Sequence, residues 1–136
     1  IDIVYPIHLN PKIREQAYKV LSNVSNIFLL NPLNYTSFIY LMNKSIFVVT
    51  DSGGIQEEAP SIGKPVIITR ETTERDELLK FEGVKLVGTK KNVIIKSIQS
   101  LIDSRIYKNT KSITIYGNGK ASEKIITFLK RVYYEK

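Results

Sequence analysis

A short glycine-containing segment carries residue types that bind phosphate. Residues 50–59 read Thr-Asp-Ser-Gly-Gly-Ile-Gln-Glu-Glu-Ala and follow an apolar run, residues 46–49, that is typical of a buried parallel strand. Glycine lets an anion approach the backbone, the first amides of a helix have no helical acceptor, and the helix dipole is positive there. Glu58 follows Gly54 by one helical turn, so its carboxylate can reach hydroxyl groups attached to that phosphate.

This segment predicts a nucleotide or nucleotide-sugar site. The alternative is an ordinary strand-to-helix turn whose glycines only form the bend, because short glycine motifs are weak signals. Spacing alone leaves both interpretations open.

The elements that must position the segment follow from the rest of the pattern. Short β-branched apolar runs without alternation predict parallel strands covered on both faces, at residues 3–7, 27–30, 46–49, 66–68 and 84–87. Helical periodicity separates them, at residues 11–21, 34–42, 76–81 and 90–102. The alternation predicts an α/β fold, a parallel sheet with flanking helices and right-handed crossovers.

Three helices carry predictions about burial or length. Residues 11–21 place Ile13, Ala17 and the Val-Leu pair at 20–21 on one face. Proline inside a helix costs about 3 kcal/mol, so the helix after Gly54 is expected to end or bend just before Pro60. Residues 121–134 predict a closing helix with a buried face made of Ile125, Phe128, Leu129 and Val132.

Ligands of such sheets bind beyond the carboxyl ends of the strands. Residues 31–38, 51–58 and 70–75 are therefore expected to converge at one edge. Phe38 and nearby backbone can hold a flat base, and Arg75 can hold an oxyanion.

Each of these side chains also has a structural interpretation. Phe38 is equally suited to the core, and Glu58 to a solvated helix position. Arg75 would then serve only as the ion-pair partner of Glu71 or of a neighbouring acid. Convergence of the three loops is what favours the ligand site.

Composition limits the classes of function. The 20 Lys and Arg against 13 Asp and Glu give a net charge of +7, which is compatible with nucleic acid or another polyanion. The cations are scattered and no aromatic-interleaved basic strip occurs, so a solvated basic surface is favoured over a nucleic-acid-binding domain. With no Cys and 1 His, disulfides and Cys or His-cluster metal sites are excluded.

Length and hydropathy predict one domain in the cytoplasm. The 136 residues favour a single domain, and 43% hydrophobic residues can fill its core. No apolar run approaches the roughly 18 residues that span a membrane. The first residues lack the charged start and long apolar stretch of a signal peptide, so a cytoplasmic location is expected.

The chain resembles the carboxy-terminal part of the non-hydrolysing UDP-N-acetylglucosamine 2-epimerases. The matching stretches cover nearly the whole chain, at residues 5–11, 50–60, 63–66, 72–75 and 116–119. The resemblance implies the carboxy-terminal half of a glycosyltransferase-B-type fold. Residues 1–136 would form one Rossmann-like nucleotide-sugar-binding domain that lacks its first strand, the centre of the order 3-2-1-4-5-6.

The resemblance also implies an activity, an isomerase of cell-envelope polysaccharide biosynthesis. Family members interconvert UDP-GlcNAc and UDP-ManNAc by eliminating UDP across C1 and C2 and adding it back, without a metal or redox cofactor. Their acid–base carboxylates and a catalytic histidine lie upstream of the matched part. We therefore expect no catalytic residue in this chain, and negligible activity from it alone.

By the resemblance, seven residues bind UDP: Leu33, Phe38, Ser52, Gly53, Gly54, Glu58 and Arg75. The first two would contact uracil, the Ser-Gly-Gly segment the diphosphate, Glu58 the ribose hydroxyls and Arg75 the substrate near the diphosphate. His8 matches a histidine that in some bacterial members touches a second, activating UDP-GlcNAc. The chain departs from the family by Asp76 in place of proline, an acid expected to weaken the hold of Arg75 on phosphate.

The expected partners follow from the missing strand and the missing catalytic groups. Besides UDP-GlcNAc or UDP, the chain should need the amino-terminal catalytic domain, in cis or in trans. Unpaired strand edges are costly and adhesive, so direct pairing or a homo-oligomer would fill the gap. Two other functions stay open: a non-catalytic nucleotide-sugar module or glycosyltransferase donor domain, and a basic nucleic-acid-binding domain.

Overall fold

Strands and helices alternate along the chain, as the sequence predicts. The computed structural model describes residues 1–134. In order, the elements are β1 (Ile3–Pro6), α1 (Pro11–Leu21), β2 (Ile27–Leu30), α2 (Tyr35–Lys44), β3 (Val48–Thr50), α3 (Gly53–Ser61), β4 (Val66–Ile68), β5 (Val84–Leu86), α4 (Lys91–Ser104) and α5 (Ala121–Tyr134). Short 3₁₀ helices cover Asp76–Lys80, where an α-helix is predicted, and Ile106–Lys108.

All strand pairs are parallel, which confirms the α/β prediction. One sheet pairs β1 with β2, in the register Ile3 opposite Ile27. The other has the order β3-β4-β5, with Val66 of β4 between Val48 and Val84. Within residues 1–134, β1 and β3 are therefore sheet edges.

The chain forms two compact units, and the first covers Ile1–Leu41. Here α1 begins at a proline after Asn10, whose Oδ1 accepts the Lys12 N–H at 3.0 Å. Ala17 is buried as predicted, but Val20 is 67% exposed. Hydrophobic periodicity identifies residues that share a helix face, and only the packing partner decides which of them are covered.

Burial of the first sheet also differs from expectation. The alternation-free pattern of β1 predicts cover on both faces, yet Ile3 is 50% exposed and Val4 is 40% exposed. Phe28 of β2 is 49% exposed, and Val49 of β3 in the second unit is 44% exposed. The prediction of two-sided cover is wrong for these strands because no described element lies over those side chains.

The second unit runs from Met42 onward and is centred on β4. Every β4 residue is buried, as expected for the middle strand of a three-stranded sheet. Other elements contribute fully or almost fully buried apolar side chains to this core, from Ala59, Leu78, Val84 and Leu101. This packing fixes the carboxyl end of β3, where the segment predicted to bind phosphate begins.

Helix α3 extends two residues beyond the predicted end. Pro60 lies in its last turn, where the missing N–H removes one hydrogen bond from a helix that is already ending. The Pro60 carbonyl still accepts hydrogen bonds from the Gly63 N–H at 3.0 Å and the Ile113 N–H at 3.1 Å. The helix is therefore short, as predicted, and Pro60 anchors the turn that follows it.

The apolar face of α5 is exposed, against prediction. Phe128 is 65% exposed, Ile125 58%, Leu129 44% and Val132 43%. The period of this helix was enough to align these residues but gave no information on whether an element covers them.

Among residues 1–134, no helix is long and apolar enough to cross a membrane.

Replacing Gly63 by alanine should destabilise the second unit. Gly63 has φ +74°, and a Cβ there would lie 3.3 Å from the Thr110 carbonyl oxygen and the Ser112 nitrogen. The left-handed conformation alone costs an alanine about 1–2 kcal/mol, and the close backbone approach adds to this. The free energy of unfolding in urea, measured for Gly63→Ala, tests the expectation.

Gly117→Ala separates the two contributions. Gly117 has φ +99°, and among the described residues no heavy atom lies within 4 Å of a Cβ at that position. This variant should lose only the conformational part. Equal losses from both variants would show that the contact with the backbone of Thr110 and Ser112 has no energetic weight.

Candidate functional site

A threonine at the end of β3 holds the bend that follows it. Thr50 is buried, and its Oγ1 accepts a hydrogen bond from the Ser52 N–H at 3.0 Å. Ser52 is the N-cap residue of α3, in an extended conformation with φ −75° and ψ 130°. Its side chain makes no capping hydrogen bond to the described helix. Thr50 at the end of β3 therefore holds the bend, and the Ser52 hydroxyl does not cap the helix.

The first amides of α3, those of residues 53–55, are hydrogen-bond donors of the kind that binds anions, and we call this group the anion seat. Gln56 donates the first helical hydrogen bond, to the Ser52 carbonyl at 3.3 Å, so the amides of residues 53–55 precede the helical ladder. Gly54 is exposed, and apart from Gly54 itself, its chain neighbours and the backbone of its own helix, no heavy atom of residues 1–134 lies within 4 Å of where its Cβ would stand. Accessible N–H donors at a positive helix end favour a bound anion.

The guanidinium of Arg75 lies beside this seat. A Cβ on Gly53 would be 3.4 Å from the Arg75 Nη1 and 3.5 Å from its Nη2. The Arg75 Nε donates to a carboxylate oxygen of Glu57, and its Nη1 donates to the Glu74 Oε2 at 3.4 Å. Hydrogen bonding to Glu57, followed by the charges of Glu57 and Glu74, raises the pKa of Arg75. The seat thus has a permanent cation next to its amides.

The acid expected as an alternative partner of Arg75, Glu71, is engaged elsewhere. Its Oε1 accepts from the Thr89 N–H at 3.0 Å and the Thr89 hydroxyl at 2.7 Å. These hydrogen bonds lower the pKa of Glu71. The expectation of a neighbouring acid is correct for Glu74, which also accepts from Arg70 at 3.2 and 3.3 Å. The alternative prediction that Arg75 pairs with Glu71 is wrong.

A buried polar pair, Gln56 and Thr73, connects α3 with the loop that carries Arg75. Gln56 is fully buried and Thr73 is 9% exposed. The Thr73 hydroxyl donates to the Gln56 Oε1 at 2.6 Å and accepts the Arg75 N–H at 3.2 Å. Sequence reasoning assigned no role to this pair, and the only signal was its position inside the segments at 50–59 and 72–75. The pairing itself requires the folded loop.

A second hydrogen-bonded pair lies next to Arg75. The Tyr116 hydroxyl donates to the Glu77 Oε1 at 2.5 Å, and the charge of Arg75 acts on both groups. The hydrogen bond from Tyr116 lowers the pKa of Glu77. Burial and then the hydrogen bond to Glu77 raise the pKa of Tyr116 to about 12. Tyr116 and Glu77 thus hold the turn at residues 116–119 near the cation.

The structure places five of the predicted site residues around the start of α3. Ser52, Gly53 and Gly54 form the bend, Glu58 is half-buried one helical turn later, and Arg75 lies against the bend. The residues predicted to hold the diphosphate and the ribose therefore lie close together.

The predicted uracil contacts lie in the other compact unit. Asn34 caps α2, because its Oδ1 accepts the Ser37 N–H at 2.9 Å. Leu33 and Phe38 are half-buried and occupy the positions just before the cap and four residues after it, where apolar side chains commonly pack together. Their positions agree with both a structural and a ligand-binding role.

His8, the predicted allosteric residue, is exposed at the end of the first strand segment. Its Nδ1 accepts the Asn10 N–H at 3.1 Å. Among residues 1–134, no group of three or more His, Cys, Asp or Glu side chains is placed to hold a metal ion. At the start of α3, the groups that the structure brings together are backbone amides and the guanidinium of Arg75.

Proteins described as UDP-N-acetylglucosamine 2-epimerases are similar to this chain. The family model described as UDP-N-acetylglucosamine 2-epimerase matches residues 1–130. A UDP-N-acetylglucosamine 2-epimerase of Campylobacter jejuni is 56% identical over 131 residues, which cover 95% of this chain and 34% of that protein.

Solved structures show the same relationship. The UDP-GlcNAc 2-epimerase of Neisseria meningitidis bound to UDP-GlcNAc has a TM-score of 0.88 at 45% identity, over 96% of this chain and 36% of its own. The S. aureus MnaA–UDP co-structure has a TM-score of 0.88 at 41% identity, over 96% and 36% of the two chains. The chain thus spans about a third of the length of the relatives it matches.

Tyr116 should ionise at unusually high pH. Its pKa is about 12 in the folded chain against 10.0 as an ordinary tyrosine, so between these values only the unfolded chain releases the proton. The free energy of unfolding should therefore fall as pH rises through this window. Tyrosinate absorbance of the wild type minus that of Tyr116→Phe isolates this group, and a difference curve centred near the ordinary value would contradict the assignment.

Proposed function

The chain belongs to the UDP-N-acetylglucosamine 2-epimerase family, and from this we propose that it is the UDP-binding part of an enzyme that interconverts UDP-GlcNAc and UDP-ManNAc. One observation carries the proposal: the guanidinium of Arg75 lies beside Gly53 at the start of α3, where the first amides precede the helical hydrogen bonds. UDP and UDP-GlcNAc, the ligands of the solved relatives, contain the diphosphate that such a pair of donors suits.

The proposed binding of the diphosphate combines backbone and side-chain donors. The amides of Gly53 and Gly54 and the hydroxyl of Ser52 would donate to one phosphate, and the guanidinium of Arg75 would neutralise charge on the other. Glu58, one turn along α3, would accept hydrogen bonds from the ribose hydroxyls. Contacts of Leu33 and Phe38 with uracil, an allosteric role of His8 and a cytoplasmic location stay predictions.

The proposed reaction gives this site a role at the leaving group. In the elimination, a base removes the C2 proton, the C1–O bond breaks, and UDP leaves with the bonding electrons as charge on a β-phosphate oxygen. The α3 amides and Arg75 would stabilise that charge, as preorganised donors do in general. Addition of UDP to the 2-acetamidoglucal, with protonation of the other face of C2, completes the epimerisation.

Proton transfer is not assigned to this chain. Glu57 and Glu74 both pair with Arg75, and hydrogen bonds lower the pKa of Glu74. Such carboxylates are poor bases toward a carbon acid. We propose that the proton-transfer groups belong to the part of the relatives that this chain does not span, supplied in cis or in trans.

Ligand titration tests the proposal directly. Calorimetry of the chain with UDP, UDP-GlcNAc and single-stranded DNA at two salt concentrations should show a preference for the uridine nucleotides. Nucleic-acid binding through the net charge of +7 would instead weaken steeply with salt. DNA binding with that salt dependence, and no UDP binding, would overturn the proposal.

Gly54→Ala should weaken UDP binding by about tenfold or more without unfolding the chain. The added methyl group meets no heavy atom within 4 Å among the described residues, and alanine is favoured over glycine in a helix by about 1 kcal/mol. The same methyl group occupies space beside the amide donors, so UDP affinity should fall by about tenfold or more. Calorimetry and a thermal melt measure the two effects.

Asn92→Ala provides the matched control, because Asn92 is the second residue of the exposed first turn of α4. It should leave UDP affinity unchanged. Wild-type affinity in Gly54→Ala would place the diphosphate elsewhere.

The chain alone should have negligible epimerase activity. It would supply donors for UDP, but Glu57 and Glu74 are paired with Arg75, and Glu58 would bind the ribose hydroxyls. Incubation with UDP-GlcNAc and chromatographic detection of UDP-ManNAc tests this expectation. Turnover at rates near those of a full-length enzyme would contradict it.

A further inference from the structure

Arg75 is held in place from its main chain as well as from its side chain. The side-chain contact is with Glu57 of α3. The main-chain contact is with the Thr73 hydroxyl, which accepts the Arg75 N–H at 3.2 Å. Because Thr73 donates to Gln56 of the same helix at 2.6 Å, both contacts lead back to α3.

The hydroxyl of Thr73 has a defined direction in this arrangement. It carries one proton, and that proton is donated to the Gln56 Oε1, since the Arg75 N–H can only be a donor. Both side chains are buried, so water competes little for either hydrogen bond. The main chain at Arg75 is therefore fixed relative to the amides of Gly53 and Gly54.

Resting on the proposed UDP site, we propose that Gln56 and Thr73 are positioning residues that place the Arg75 guanidinium against the anion seat of α3. Neither side chain needs to touch the ligand. Their effect is to keep the cation and the amides in one rigid arrangement, so that a diphosphate meets both sets of donors without a loop rearrangement.

A purely structural role predicts different behaviour from this positioning role. Within residues 1–134, the Gln56 Nε2 is a buried donor without a hydrogen-bond partner. An unsatisfied buried donor destabilises a fold, so Gln56→Met removes that penalty together with the Oε1 acceptor, at similar volume. A structural role for Gln56 predicts that stability and UDP affinity change together, whereas a positioning role predicts loss of affinity with retained or increased stability.

The experiment compares UDP affinity and melting temperature across a small set of variants. Thr73→Val removes the hydroxyl at similar size, and Thr73→Ser restores it. Thr127→Val, on the exposed face of α5, is the matched control for the Thr-to-Val change. We expect UDP affinity to fall about tenfold in Thr73→Val and Gln56→Met, and to stay at the wild-type level in Thr73→Ser and Thr127→Val.

An Arg75→Met background identifies the route of the effect. If Thr73 acts through Arg75, adding Thr73→Val to Arg75→Met should cause no further loss of UDP affinity. Wild-type affinity in both Thr73→Val and Gln56→Met would overturn the inference, and so would an equal loss from Thr73→Val in either background.

The two levels of the proposal fail differently. If the wild-type chain does not bind UDP, the proposed function is wrong and the positioning role falls with it. If the wild type binds UDP and Arg75→Met weakens binding, but Gln56→Met and Thr73→Val have no effect, only the positioning role is wrong.

Discussion

The attachment of Arg75 to helix α3 is the interaction on which the site depends. The helix contributes the open amides of Gly53 and Gly54, and it also contributes the carboxylate of Glu57, which holds the guanidinium beside them. Helix α3 therefore carries the amide donors itself and also holds the guanidinium donors of Arg75, which come from a later part of the chain. Preorganisation of this kind lets a charged ligand bind without first ordering a loop.

The charges around Arg75 set the conditions under which an anion can bind. Glu57 and Glu74 already neutralise the guanidinium and raise its pKa, so a diphosphate must share or displace a carboxylate contact. The acid expected to interfere was Asp76, on account of its place in the sequence. The acids in contact are instead Glu57 and Glu74. The adjacent amides offset this competition, because they add donors that no carboxylate of these pairs occupies.

The exposed apolar surfaces agree with a chain that spans about a third of its relatives. Within residues 1–134, β1 and β3 each have an unpaired edge, and the apolar face of α5 is open. The hydrogen bonds that hold the bend and the main chain and side chain of Arg75 nevertheless arise between residues 50 and 75. The arrangement proposed to hold the diphosphate is therefore local to this part of the chain, whereas no proton-transfer group is assigned to it.

Sequence alone determined the order of the elements, their parallel class and the bend of Ser52, Gly53 and Gly54, because apolar period and glycine placement are local properties of the chain. The sequence also identified Arg75 as a candidate site residue. Only the tertiary structure decided that Glu57 rather than Glu71 holds Arg75, and that Thr73 joins it to the buried Gln56. It likewise decided that the apolar residues of α5 are uncovered. Pairing and cover depend on which distant segments meet, and no local pattern records that.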